Sequence, residues 1–159
     1  MQFKELIHTL IKFLNDKKYD EIPTLLSHYK SNRIEWSSFA IQDYNNDTQY
    51  TRNRIFYHPE IGEILLIIWK EGRKSPMHDH KGSNCYVKII YGQIKENIET
   101  IENIENEKKF TTNQISFIND SIGRHQMSNL NNDDISVSLH VYSGYIGGII
   151  YKDFTYKFI

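Results

Sequence analysis

Two spacings of apolar side chains divide the chain. Up to about residue 45 they recur every three or four positions. Phe3, Leu6, Ile7, Leu10, Phe13 and Leu14 form one stripe, the period of an amphipathic helix. A second short helix is predicted through Leu25, Leu26 and Tyr29, with Pro23 near its start, where a missing N–H is harmless. A third is predicted through Trp36, Phe39 and Ala40. These stripes are read as packing surfaces, with the helices covering one face of a sheet. From Tyr50 the period changes. Residues 54–57, 64–69, 85–91, 94–101, 114–118 and 135–142 are short segments rich in β-branched and aromatic side chains, the composition of strands. Turn signals separate them: His58-Pro59, Glu71-Gly72, Lys81-Gly82, Tyr91-Gly92, Asn119-Asp120 and the run 131–134. Short strands at this spacing predict a mainly β fold, a barrel or sandwich. The expected layout is one domain over 1–159, with a helical cap over 1–45 and a β-barrel over 46–159. The charged stretch from Glu96 to Lys109 reads as a solvated hairpin.

Composition narrows the function classes. At 159 residues, 39% hydrophobic and 25% charged, the chain has the make-up of a globular domain and not of a disordered segment. Lys plus Arg number 19 and Asp plus Glu 20. Bulk charge therefore draws it to neither nucleic acid nor an anionic membrane. The only cysteine is Cys85, so an intrachain disulfide is excluded, which fits a reducing compartment. Lys4, Glu5, His8 and Lys12 break up the N-terminal segment, which lacks the apolar stretch of a signal peptide. The longest apolar run, Ile64 to Trp69, is six residues, too short to span a bilayer. The expectation is a cytoplasmic monomer acting on a small molecule.

The chemistry gathers around histidine. His78 and His80 flank Asp79. On a strand, residues two apart share a face, so both imidazoles can serve one metal ion, while Asp79 points the other way. Gly72 lies six residues before His78, Cys85 five after His80, and Gly92 seven after Cys85. This is similar to the first cupin motif, Gly-x5-His-x-His-x3or4-Glu-x6-Gly, with Cys85 where Glu usually stands. His125, followed four residues later by Asn129, resembles the second cupin motif, although Asp120 and Ile122 replace its usual Pro and Gly. A site of three neutral histidines leaves a ferrous ion its full charge and half an octahedron open, which favours an anionic ligand such as a thiolate. Zinc competes on spacing alone. Ser138, His140 and Tyr142 alternate with Val137, Leu139 and Val141. This is either a hydrogen-bonded polar row inside the β body or the outer face of a solvent-facing strand. Tyr50-Thr-Arg52-Asn-Arg54 places an arginine on an early strand, suited either to a substrate carboxylate or to a structural ion pair.

Together these segments resemble the cysteine dioxygenase family of cupin thiol dioxygenases. The stretches that carry the likeness are Tyr50-Thr-Arg-Asn, His78-Asp-His-x4-Cys85-x2-Lys-x3-Gly92-x2-Lys-Glu96, Phe117-Ile-Asn-Asp-Ser-Ile-Gly-x-His125 and Val137-Ser-Leu-His-Val-Tyr-Ser143. The resemblance implies ferrous iron on His78, His80 and His125, with Arg52 pairing the substrate carboxylate and Tyr50 lining the pocket. It implies a catalytic row of Ser138, His140 and Tyr142, and Cys85 beside Tyr142, a pair that many members join by a thioether. The implied reaction is oxidation of L-cysteine by dioxygen to cysteine sulfinic acid, the second rung of thiol oxidation. The alternatives are dioxygenation of another small thiol such as 3-mercaptopropionate, oxidation of N-terminal cysteines on proteins, and a non-catalytic metal-binding cupin. Cys85 favours L-cysteine among the thiols, and Arg52 would have no purpose toward a protein N-terminus. Where the family usually continues Ser-Pro-Pro, this chain reads Ser143-Gly144-Tyr145.

Overall fold

A computed structural model describes residues 1–41, 50–144 and the backbone of 154–156. Helix α1 (Phe3–Asn15) opens with the Gln2 amide donating to Glu5 Oε2 at 2.8 Å, which satisfies one of the donors a helix start leaves open. A 3-10 turn leads into α2 (Ile22–His28), with Pro23 in its first turn. Then α3 (Arg33–Trp36) and a second 3-10 turn over Ser37–Phe39 follow. The three predicted helices are therefore present. The remainder of the predicted cap, residues 42–45, lies outside the described residues.

Among the described residues nine strands follow: β1 (Tyr50–His58), β2 (Gly62–Trp69), β3 (Asn84–Tyr91), β4 (Gln93–Thr100), β5 (Glu105–Thr111), β6 (Ile115–Ile118), β7 (Gly123–Asn129), β8 (Ser136–Ser143) and β9 (Phe154–Tyr156). Six make one sheet in the order β6-β3-β8-β2-β1-β9, and three make a second in the order β5-β4-β7. All pairings are antiparallel except β1 with β9.

The centre of the larger sheet, β3, β8 and β2, is buried on both faces. Ile64, Leu66 and Ile68 of β2 and Val137, Leu139 and Val141 of β8 join Phe3, Leu6, Ile7, Leu10 and Leu26 in one core under the helices. The intervening residues Leu65, Ile67 and Trp69 pack with Cys85, Val87, Ile94, Ile98, Met127 and Tyr142 in a second core between the sheets. Two buried faces explain the unbroken apolar run 64–69, because neither parity of side chains meets water. They also decide the reading of β8, which is buried along its whole length. Its polar row faces the space between the sheets and is not the outer face of a solvent-facing strand.

Two local devices hold this frame. Lys88 of β3 is fully buried, and its Nζ donates to the Leu26 carbonyl near the end of α2 at 2.8 Å, satisfying an open helix-end acceptor and tying the helices to the sheet. Gly92 joins β3 to β4 at φ +84, where a Cβ would stand 2.3 Å from Ser136 Oγ. Only glycine fits both the backbone conformation and the space.

Candidate metal centre

His78 and His80 were expected on a strand. They lie instead in the irregular connection between β2 and β3, which meets β7 only at two isolated bridges, Lys74 with Ser128 and His78 with His125. The register slips by one residue between the two bridges, and Pro76 stands in the slip. Proline has no N–H to give a ladder. Ser75 partly compensates, its Oγ accepting from the Met127 amide at 3.1 Å. The His78 and His125 backbones exchange both hydrogen bonds, at 2.9 and 3.0 Å. The next ligand candidate is fixed by Asp120, which accepts from the His80 amide at 2.8 Å and the Gly82 amide at 2.7 Å.

The three imidazoles converge. His125 Nε2 lies 3.1 Å from His80 Nε2 and 3.1 Å from His78 Nε2. On the far side of two of the rings, His78 Nδ1 meets the Pro76 carbonyl at 2.9 Å and His125 Nδ1 meets Glu96 Oε2 at 2.8 Å. Both partners only accept, so both Nδ1 atoms carry their protons. His78 and His125 are therefore fixed with bare Nε2 atoms turned on each other, and no hydrogen lies between them. Two facing lone pairs repel unless a cation sits between them. Nitrogens 3.1 Å apart suit two bonds of about 2.0–2.1 Å to one ion. Burial holds His78 down to about 4 and His80 down to about 3, with the neighbouring His125 adding to both shifts. Neutral ligands are thus presented at ordinary pH. Among the described residues these three are the group able to hold a metal, so the donor set fits a metal ion that accepts imidazole nitrogen.

A cavity of about 380 Å³ opens beside the cluster, walled by His78, His140, Tyr142, Tyr50, Arg52 and Trp69 among others. The Arg52 Nη2 donates to Tyr50 Oη at 2.9 Å, and its guanidinium stands 4.7 Å from the Tyr50 ring centre. Ser138, His140 and Tyr142 follow one another along the inner face of β8. Trp69 Nε1 donates to Ser138 Oγ at 2.8 Å, Ser138 Oγ pairs with His140 Nε2 at 2.8 Å, and His140 Nδ1 faces Tyr142 Oη at 3.4 Å. Burial, with the nearby histidines, keeps His140 well below its ordinary range. Cys85 is fully buried and is the direct cross-strand partner of Tyr142. Burial pushes its thiol up, while a hydrogen bond with Tyr142 opposes the shift. Asp79 is exposed, meets Lys81 at 3.8 Å and lines the mouth of the same cavity as His78, so the expected outward turn does not follow here, where 78–80 is not a strand.

Sequence reasoning missed Glu96. Assigned there to a solvated hairpin, it is fully buried and bonded to His125 and to Ser116 Oγ, the latter at 2.7 Å. Of that hairpin, the tip 101–104 and β5 are broadly exposed, while β4 is not. The available signal was parity, since Ile94, Glu96 and Ile98 occupy alternate, inward positions of β4. Asn129 holds structure, its side chain donating to the carbonyls of Trp69, Lys70 and Asp134. Of the Ser143-Gly144-Tyr145 departure, Gly144 takes φ +85, and Tyr145 lies outside the described residues.

Comparison with known proteins agrees with this geometry. The family model described as cysteine dioxygenase type I matches residues 1–149. The chain is 34% identical to cysteine dioxygenase type 1 of Rattus norvegicus over 146 residues, covering 87% of this chain and 70% of that one. It is 32% identical to the Homo sapiens enzyme of the same name over 146 residues, with the same coverage. Among solved structures, the cupin domain of Schizosaccharomyces pombe Cnp3 superposes with a TM-score of 0.52 at 11% identity, covering 62% of this chain and 66% of that one. That likeness concerns the fold alone. With a cupin fold, a triad of histidine nitrogens and a family match over nearly its whole length, the chain belongs to the cysteine dioxygenase type I family of metalloenzymes.

Proposed function

We propose that the protein oxidises free L-cysteine to cysteine sulfinic acid, both atoms of dioxygen entering the product, on ferrous iron held by His78, His80 and His125. The observation that carries this reading is the convergence of three Nε2 atoms at 3.1 Å, those of His78 and His125 bare, beside a cavity with Arg52 on its wall. Ferrous iron, when bound, would let dioxygen react with a thiolate, the electrons coming from the sulfur itself, and neutral ligands would leave the ion the charge to favour that anionic sulfur. Arg52 binds the substrate carboxylate, and Tyr50 Oη steadies the guanidinium that does so. Holding the thiol at one end and the carboxylate at the other orients the substrate, and such orientation lowers the barrier without new chemistry.

The inner row of β8 sets the proton at Tyr142. Trp69 Nε1–H occupies one lone pair of Ser138 Oγ, and the serine proton turns to His140 Nε2. His140 then carries its proton on Nδ1 and donates it to Tyr142 Oη. Tyr142 thus accepts at its oxygen, which leaves its own O–H as the donor in the hydrogen bond with Cys85; once the sulfur is joined to the ring, that O–H turns to the cavity. Cys85 and Tyr142, cross-strand partners, become joined by a thioether. That bond replaces an S–H and a ring C–H, a two-electron oxidation with dioxygen as the oxidant.

The test loads the protein with ferrous iron without air, adds L-cysteine, then admits dioxygen while following sulfinate and oxygen uptake together. One oxygen molecule consumed per sulfinate is expected. His80→Ala is expected to lose both iron and activity. Full iron retention in that variant would overturn the ligand assignment.

A further inference from the structure

Glu96 sits inside the protein with no side-chain cation of its own. Its exposure is 0%, and among the described residues its one ion-pair partner is His125, also 0% exposed. Both carboxylate oxygens are committed, Oε2 to His125 Nδ1 at 2.8 Å and Oε1 to the Ser116 hydroxyl at 2.7 Å. Ser116 lies on β6 of the larger sheet and Glu96 on β4 of the smaller one, so the carboxylate is gripped from both layers and cannot swing away. A buried carboxylate without a lysine or arginine is costly. It becomes affordable where positive charge arrives by another route, and His125 offers one, since the opposite nitrogen of the same ring faces the histidine cluster. The charge absent from the ligand set, where Cys85 replaces the usual glutamate of the motif, is thereby present one hydrogen bond further out.

We infer that Glu96 is a positioning residue that sets the metal affinity and redox potential of the site through His125. This rests on the reading of His78, His80 and His125 as metal ligands. The Glu96–His125 bond does two things. It locks the Nδ1–H tautomer, so that Nε2 is always the bare nitrogen, and it feeds negative charge into the ring, making Nε2 a stronger donor. Ser116 fixes the carboxylate oxygen that His125 does not use. A more electron-rich ligand favours the higher oxidation state, so Glu96 lowers the ferric/ferrous potential.

The test compares wild type with Glu96→Gln. Glutamine keeps an acceptor oxygen for His125 Nδ1 and removes the charge. Zinc affinity measured by chelator competition is expected to fall 10- to 100-fold, and a mediated redox titration of the iron-loaded protein is expected to show a higher potential. A purely packing role for Glu96 would not move the potential. Equal affinity and equal potential in the two proteins overturn the inference while leaving the ligand assignment intact. Failure of the wild type to bind zinc or iron overturns the ligand assignment, and this inference with it. Should the variant not fold, nitrogen-15 NMR of the zinc-loaded wild type decides. A downfield, exchange-protected proton on His125 Nδ1 is expected, and its absence overturns the inference.

Discussion

Ser138 Oγ lies 2.8 Å from His140 Nε2, and the sense of that one hydrogen bond sets which nitrogen of His140 carries the proton. Trp69 donates to the same serine, which leaves the hydroxyl one lone pair and its own proton; in the proposed row that proton goes to the imidazole. Replacing Tyr142 by phenylalanine is expected to lower turnover by about 10²-fold, the lower end of what a positioned proton donor contributes. Ser138→Ala, which leaves the tyrosine in place but frees His140 to take the other tautomer, is expected to fall between wild type and that variant. Steady-state oxygen uptake measures both. Equal rates for Ser138→Ala and wild type would show that the tautomer is fixed by something else.

Arg52 is expected to act in binding. Arg52→Ala should raise KM for L-cysteine by roughly 10- to 100-fold, the loss of a charged hydrogen bond worth about 1.5–3 kcal/mol. Cysteamine, which has no carboxylate, provides the control. Its KM should be unaffected by the same substitution, and a matching rise for both thiols would assign Arg52 to the fold.

Cys85→Ser is expected to abolish the thioether and keep partial activity, because the sulfur does not belong to the histidine group. Intact-protein mass spectrometry of the wild type after turnover should show a species lighter by two hydrogens, and this species should be absent from the variant. A variant that loses all bound iron would place Cys85 among the ligands.

The metal-free protein is expected to lose stability on mild acidification. His78 is held to about 4 and His80 to about 3 by burial, and His140 also lies well below its ordinary range. In the unfolded chain all three titrate near 6.5. Between those values the unfolded state binds protons that the folded state refuses, so stability is complete above pH 6.5 and declines as the pH falls toward 4. The urea midpoint of metal-free protein should therefore be lower at pH 5 than at pH 7.5. A flat profile would mean that the imidazoles are more hydrated than their burial implies.

Much of this was legible in the sequence because period and burial coincide. The α1 stripe and the run 64–69 each bury what their spacing announces. The Ser138–His140–Tyr142 row was visible as an alternation, but only packing on both sides showed which way it faces. Three strands escaped notice, β5, β7 and β9, the first two for opposite reasons. Residues 105–111 form an exposed edge held by pairing with β4, so no apolar period is required of them. Residues 123–129 do alternate, yet Gly123, His125 and Asn129 are among the inward positions, and polar groups there disguise the period. Glu96 was concealed the same way, as one acid in a charged stretch whose inward parity sets it apart. The histidine pair 78 and 80 was legible from spacing as part of a group able to hold a metal, but its backbone was not, because Pro76 breaks the ladder that spacing assumes.

The two-sided burial of β8 makes its length a fixed quantity. One parity of the strand seals the helices against the sheet and the other delivers Ser138, His140 and Tyr142 to the cavity. Adding or deleting a single residue within 136–143 would exchange the two sets, sending valines toward the histidines and a tyrosine under α1. The tip of the β4–β5 hairpin, residues 101–104, is fully exposed, and that is where this scaffold can accept inserted sequence, an epitope tag or a fluorophore-labelling cysteine, without disturbing the reaction chamber.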